Sequence, residues 1–507
     1  MIALTLSAAL MGIEAYEVRI EVDAHQGLPA EIIVGLPDAT VRESRNRIRS
    51  AIKNAHFDYP LRAYTINLAP AEIRKEGPLL DLPIAVGILQ ATQQLPPDPD
   101  TLFIGELSLN GDVKPVRGVL SICDMARKKG VKRMVLPADN LPEAALVPEL
   151  TLIPIHSLKD LTRLYTDGNP FTAQVPPATS LIAPPSIANF KEVRGQLAAK
   201  RALEIAAAGH HNVLLIGPPG TGKTMLLSRL SSIMPELSTN ELLETTKVNS
   251  VSQTFSPTAI PMTTSRPFRH PHHTISYAGL IGGGKSPLPG EVSLAHNGIL
   301  FLDELPEFHR HVLEALRQPL ESKCVVISRA QFKIQYPCRF LLIAAMNPCP
   351  CGYYMDKLQP CICPTAHRQK YYKKISGPIL DRIDLIVEVT RPSKSELQDP
   401  LPDTGNPFTS EAMKARVLTA LNIQHLRNKA EPNADLGQQE IDILCRIDPN
   451  SKKLLGDLID KGLLSGRSYG KLLKVSRTIA DLAGSSDIQF DHVCEAVRYR
   501  RNPMICS

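Results

Sequence analysis

GPPGTGKT, residues 217–224, fits the phosphate-loop pattern G-x4-G-K-S/T. It follows an apolar run, Val213 to Ile216, that suits a buried strand, and it precedes MLLSRL (225–230), which suits a helix. The strand–loop–helix setting that the pattern needs is therefore present. Gly217, Gly220 and Gly222, with Thr221 between the last two, let the backbone wrap phosphates, whose charge is met by amide N–H groups and a helix N-terminus. Lys223 supplies a point charge for the β- and γ-phosphates, and Thr224 offers a hydroxyl to Mg²⁺. Downstream, ILFLDE (299–304) is an apolar strand ending in two carboxylates. Asp303 suits a Mg²⁺ ligand, direct or through water, and Glu304 a general base that polarises the attacking water. A merely solvated strand end is the competing reading, which the four apolar residues before it and the upstream loop disfavour. The expectation is a Mg²⁺-dependent ATPase.

Two more elements follow. FLLIAAMN (340–347) is a second buried strand, and an amide at its tip, Asn347, can orient a water beside the γ-phosphate. GPILDRIDLIVEV (377–389) puts Arg382 between a helix-like segment and a strand, where an ion pair with Asp381 or Asp384 is the plain reading. In this order the four elements resemble the AAA+ superfamily, in its magnesium-chelatase and MCM-like branch, and within it the YifB/ComM proteins. The strings RPFRHPHHTIS (266–276), PGEVSLAHNGILFLDELPEF (289–308), NPCPCGYY (347–354), LDRIDL (380–385) and SGRSYGKLLKVSRTIADLAG (465–484) carry that resemblance across nearly the whole chain. It implies that Arg382 is an arginine finger reaching a neighbouring subunit's nucleotide, where an arginine supplied in trans stabilises the transferring phosphoryl group. It also implies a homo-oligomeric ring, a hexamer, with a C-terminal helical lid that carries a second nucleotide-sensing arginine. Position in the S-x-R string favours Arg467, with Arg477 as runner-up.

The chain has 507 residues, length for about three domains. With 43% hydrophobic and 21% charged residues it has the composition of a soluble globular protein. No stretch approaches the roughly 18 apolar residues that span a bilayer, so no membrane association is expected. The start, MIALTLSAALMGIEAYEVRIEV (1–22), lacks a basic leading region and runs into strand-like alternation. It reads as a first strand and not as a secretory signal. Ten cysteines without such a signal indicate the reducing cytoplasm. A net charge of +6 permits nucleic-acid binding and describes a mildly basic enzyme equally well.

The expected fold class is α/β: an AAA+ P-loop core with a C-terminal helical lid, preceded by a Lon-protease-like, catalytically dead α+β domain. Residues 1–165 alternate strands such as YTINLA (64–69) and MVLP (134–137) with helical stretches such as PIAVGILQAT (83–92). Residues 166–187, rich in Pro and Thr, read as a linker. The ATPase core covers 188–395 with a cysteine-rich insertion at 347–364, and the helical lid covers 396–507, entered through a loop-like stretch at 391–410. FIGELSLNGDVKPVRGVL (103–120) and MARKKGVKRMVLPADN (125–140) resemble the proteolytic domain of Lon. Lon-like enzymes use a Ser–Lys dyad, but KEGPLLD (75–81) puts Leu79 at the serine position and RGVLS (117–121) puts Leu120 at the lysine position. Leucine can serve neither as nucleophile nor as base, so peptide hydrolysis is expected to be lost.

VVISRAQFKIQYPC (325–338) alternates like a hairpin. In MCM-like motors the equivalent hairpin enters the central pore, which makes Arg329 and Lys333 candidates for contacting DNA phosphates without reading sequence. Two solvated charges are the alternative. RPFRHPHHT (266–274) reads as a loop facing DNA or a neighbouring subunit, or as a metal site weakened by irregular His spacing. Cys349, Cys351, Cys361 and Cys363, two C-x-C pairs nine residues apart, suggest a structural Zn²⁺ site. Free thiols in a loop and a redox switch are the alternatives. HRQKYYKK (367–374) reads either as a DNA-contacting strip with Tyr371 and Tyr372 between basic residues or as an exposed helix face.

The leading functional reading is an ATP-driven DNA translocase or helicase working on single-stranded or branched DNA. The resemblance implies branch migration during recombination and uptake of transforming DNA. The competing readings are a metal-chelatase motor and a chaperone-like motor.

Overall fold

The computed structural model describes residues 2–166, 189–252, 265–284, 287–329, 332–354, 356, 358–398, 406–429 and 431–500. The segment read as a linker lies outside the described residues except for Thr166, as do the hairpin tip at 330–331 and the Arg329 side chain.

Five parallel strands form the ATPase sheet, in the spatial order Phe268–Arg269, Gly298–Leu302, Phe340–Met346, Val213–Ile216, Leu385–Glu388. The three inner strands are buried throughout. Crossover helices cover both faces of such a sheet, so its strands are unbroken apolar runs in place of alternating ones. Successive residues still point to opposite faces. Val213, Leu215, Phe301, Leu341 and Ile343 pack toward the helix Leu197–Gly209 and the C-terminal helices. Leu214, Ile216, Leu300, Leu302 and Leu342 pack toward the helices of residues 277–322. Because the strands are parallel, Gly217, Asp303 and Asn347 all emerge at one edge.

The C-terminal domain comprises the helices Ser410–Arg427, Gln438–Leu444, Pro449–Asp460, Gly466–Leu482 and Phe490–Arg498. Thr409, Asp448 and Ser465 cap three of them with side-chain oxygens. The domain docks on the helix Leu197–Gly209: Gln424 donates to the Ala208 carbonyl at 3.0 Å and Arg416 to Glu204 at 2.6 Å. At its centre the buried Asp481 accepts from Arg427 at 2.7 and 2.8 Å, from Arg477 at 3.1 Å and from Asn433 at 2.8 Å. Arg477 is 2% exposed and also donates to the Ser485 and Ser486 carbonyls. Its side chain is fully engaged in the domain core, so it is not a nucleotide sensor. One local expectation differs. The stretch read as a loop at 391–410 contains a short helix, Lys394–Gln398, started where the Glu396 carboxylate accepts from the Ser393 N–H at 2.7 Å.

The amino-terminal domain holds a mixed seven-stranded sheet in the order Ala30–Val34, Ala63–Ala69, Glu14–His25, Ile2–Met11, Thr101–Phe103, Arg133–Pro137, Thr151–Ile155. The first strand pairs antiparallel with the second from Ile2 opposite Asp23 to Met11 opposite Glu14. Leu79 and Leu120 are both packed in this domain's core.

The two modules are joined. Lys247 pairs with Asp124 at 2.6 Å, and the Gly118 N–H donates to Ser250 Oγ at 2.8 Å. Ser250 Oγ in turn bonds the buried Glu143 carboxylate, whose pKa burial raises to about 7. A β-carbon at Gly12 would lie 2.4 Å from Ile334 Cγ2, so the turn after the first strand sits directly on the hairpin Cys324–Arg329/Phe332–Pro337. Beside this contact is a cavity of ≈ 780 Å³, lined by Gly77, Pro78 and Leu79 from one module and Val251, Ile334 and Tyr336 from the other.

Asp481→Ala leaves two arginines without a carboxylate inside the helical domain, a loss of about 3–5 kcal/mol. Urea unfolding followed by far-UV circular dichroism is expected to show the helical transition at clearly lower denaturant in the variant.

Candidate active site

The phosphate loop follows the central strand directly. A β-carbon at Gly217 would lie 2.1 Å from the Val389 carbonyl oxygen, and Gly220 and Gly222 have φ of +74° and +84°, so the loop's path excludes side chains at these points. Thr221 Oγ1 closes the turn by donating to the Pro218 carbonyl at 2.9 Å, and Gln196 braces it from outside through the Thr221 carbonyl at 3.3 Å. The Lys223 ammonium donates to the carbonyls of Gly217 at 2.7 Å and Pro218 at 2.9 Å and to Asn347 Oδ1 at 3.2 Å. Burial lowers its pKa to about 8, against the opposing pull of Asp303 and Glu304.

The carboxylates and the amide meet the loop here. Thr224 Oγ1 donates to Asp303 Oδ2 at 3.0 Å, which sets a hydroxyl and a carboxylate side by side, the hard oxygen donors that Mg²⁺ takes. Glu304 lies in the left-handed region at φ +51°, and its N–H donates to Asp303 Oδ1 at 2.9 Å. A non-glycine residue held there is strained, as is common where a reactive group must be aimed. His273 Nδ1 lies 3.3 Å from Glu304 Oε2. The Arg/His-rich stretch, read as a DNA or interface loop, is thus part of this site. Arg266 anchors it to Glu241 at 2.9 Å, Phe268–Arg269 forms the edge strand, and His273 arrives at the carboxylate. Its histidines join no metal-ligand cluster among the described residues. His273 is the residue that sequence reasoning missed; three histidines in a row of loop residues gave no sign of which one faces Glu304.

Arg382 and Arg467 stand elsewhere. Both line a cavity of ≈ 460 Å³ together with Asn212, Phe340 and Asp384, the residues at the entry ends of three parallel strands. The phosphate loop is at the exit ends. Four to seven strand residues separate the two edges, roughly 13–23 Å. Both arginines therefore lie across the sheet from their own chain's phosphate loop. In the cavity Arg382 is paired with Glu321, and its buried Nε has no hydrogen-bond partner among the described residues. Lys471 pairs with Asp384 at 2.7 Å, whereas Arg467 is exposed and makes no ion pair among the described residues.

The sulfurs of Cys349, Cys351, Cys361 and Cys363 all lie within 4.8 Å of one another, with the closest pairs at 3.3 and 3.6 Å. Four thiolates at tetrahedral Zn–S distances are about 3.8 Å apart, so the set is compatible with Zn²⁺. Lys333 is exposed on the hairpin. On the helix Thr365–Tyr372, read as a DNA-contacting strip or an exposed face, Tyr371 is buried.

Profiles of the magnesium-chelatase subunit ChlI match residues 20–140 and 189–397, and a third, for the ChlI C-terminal part, matches 408–500. The competence protein ComM of Haemophilus influenzae is 43% identical over 98% of this chain and 97% of its own length. The chain belongs to the YifB/ComM family of magnesium-chelatase-like AAA+ ATPases. YifB of Escherichia coli is 42% identical, again over 97% of this chain and 96% of its own. Lon protease 2 of Bacillus subtilis is 32% identical over 109 residues, 21% of this chain, which gives the family's amino-terminal domain its Lon-like character. ATP and Mg²⁺ are the cofactors that AAA+ membership implies. No helix among the described residues is long and apolar enough to cross a membrane.

Phosphate oxygens favour the charged form of a neighbouring lysine, so ATP raises the pKa of Lys223 from its value of about 8 in the chain alone. ATP affinity should be flat in pH below 8 on account of this group and weaken above it, by up to about tenfold per unit. Titration calorimetry in two buffers of different ionisation enthalpy should detect proton uptake on ATP binding at pH 9 and little at pH 7.

Proposed function

We propose that this chain forms an ATP-driven, hexameric DNA translocase or helicase in the cytoplasm, promoting branch migration on single-stranded or branched DNA during recombination and natural transformation. The observation that carries the reading is the split of the ATPase chemistry between two edges of one sheet. Lys223, Asp303, Glu304 and Asn347 lie at one edge, Arg382 and Arg467 at the other. Each protomer has half a site at each end, and only a neighbour completes either. The orphaned Nε of Arg382 is what an incoming phosphate oxygen would satisfy. The DNA step is supported by the relationship to a competence protein and by the hairpin carrying Arg329 and Lys333.

In this reading the Gly217–Gly222 backbone and Lys223 hold the β- and γ-phosphates. Thr224 and Asp303 hold Mg²⁺, which when bound neutralises phosphate charge. Glu304 takes the proton of the attacking water, Asn347 orients that water, and Arg382 and Arg467 of a neighbour meet the charge of the transferring group. The cysteine knuckle holds structural Zn²⁺. The match to ChlI profiles supports a second reading, a chelatase-like or chaperone-like motor on a substrate other than nucleic acid.

ATP turnover measured with and without single-stranded and branched DNA separates the two. Strong stimulation is expected, with Glu304→Gln lowering turnover by about 10²–10⁴-fold while still binding ATP. Turnover indifferent to every DNA would leave the second reading. Arg382→Ala should cost about 10³-fold or more. Mixing it with Lys223→Ala protein should restore roughly a quarter of the sites, because each variant supplies the half that the other lacks. The same mixing result is expected for Arg467→Ala.

A further inference from the structure

Among its described residues, the knuckle between Asn347 and Pro364 has little core of its own. Its larger apolar side chains, Leu358 and Ile362, are 81% and 84% exposed, so burial does little to hold it. It nevertheless touches the nucleotide site from several directions. Asn347, which meets Lys223, leads straight into Cys349, and Cys349 is fully buried. Gly352 lies flat against the phosphate loop: it has φ of +89°, and a β-carbon there would lie 2.7 Å from Cδ of Pro219. The helix leaving the knuckle brings the buried Tyr371 back beside the backbone of Asn347. Asp356 of the knuckle pairs at 2.6 Å with Arg391, just past the strand on the loop's other flank. The cysteines are the common anchor of these contacts.

Neutral thiols attract each other weakly, whereas four thiolates around one divalent cation close the loop outright. We propose that a thiophilic divalent cation of the zinc class, held by Cys349, Cys351, Cys361 and Cys363, is a structural member of the ATP site, bracing the phosphate loop through Gly352–Pro219 and fixing Asn347, so that metal loading sets nucleotide affinity. The inference rests on the Zn²⁺ assignment above and adds its purpose. With the metal the bracket is rigid; without it Asn347 and Pro219 lose their outer support while Lys223 and Asp303 keep their places.

The test uses the full-length protein. Metal content is measured by elemental analysis, then Zn²⁺ is stripped with a thiol-modifier-free chelator and the affinity for a fluorescent ATP analogue is read by anisotropy before and after. About one zinc per chain is expected, with affinity at least tenfold weaker after stripping and recovered with Zn²⁺ but not with Mg²⁺. Gly352→Ala should keep its zinc yet bind the analogue more weakly, which separates the brace from the metal. A zinc-loaded protein whose affinity is unchanged by stripping would overturn the inference while leaving the zinc assignment standing. A protein that carries no zinc, and takes up none when Zn²⁺ is added, would overturn both. Unchanged affinity in a well-folded Gly352→Ala protein would remove the Pro219 contact from the argument and with it the brace.

Discussion

In a sheet whose five strands all run one way, the two edges are chemically unlike. Every strand exit presents a turn into a helix or a polar tip, and every strand entry presents the end of a preceding loop. The order Phe268–Arg269, Gly298–Leu302, Phe340–Met346, Val213–Ile216, Leu385–Glu388 puts the phosphate loop in the interior of the sheet, next to the strand that ends in Asn347 and one further from the strand that ends in Asp303. The same polarity sends Arg382, which precedes the last of these strands, to the opposite edge. The distance between the acid–amide cluster and the arginine cavity is therefore fixed by strand length, and no side-chain rotation can close it. The ring reading grows from this constraint.

Electrostatics at the two edges follow the same division. At the exit edge a partly desolvated lysine faces two carboxylates and an amide, a balance that a polyphosphate with its cation would complete. At the entry edge the Arg382 guanidinium donates to the Pro378 carbonyl at 2.5 Å and pairs with Glu321, a carboxylate that is 65% exposed. The arginine side chain is only 12% exposed, so water screens the carboxylate end of the pair and not the guanidinium end. Of the two partners of Arg382, Glu321 is the one that another anion can replace.

Much of this was legible in the chain itself. Apolar runs that end in Gly217, Asp303 and Asn347 are both the sign of buried parallel strands and the reason those tips converge, so period and chemistry pointed the same way. The helix–strand boundary expected around Arg382 is there too, between Gly377–Leu380 and Leu385–Glu388. What sequence could not supply was side: Arg467 lies in a helix whose packing against Leu197–Gly209 is a tertiary fact, and only that packing turns it toward Arg382. The same holds for His273, carried to Glu304 by a two-residue edge strand too short to leave a pattern, and for Tyr371, which follows the polar run from His367 to Lys370 but whose own ring is inside. Turn propensity missed the helix Lys394–Gln398 because a Ser–Glu cap outweighs the prolines around it.

The seam between the modules has a consequence for what the amino-terminal domain is for. Leu10 and Ile13 from its first turn are packed in the same apolar cluster as Ile334 and Tyr336 from the hairpin, and Gly12 leaves room for Ile334 where any side chain would push it away. A hairpin packed in this way cannot shift without disturbing the seven-stranded sheet beside it. A domain with leucines at both dyad positions still supplies part of the packing that covers the hairpin. Taking the two modules apart would lay Ile334 and Tyr336 open to water.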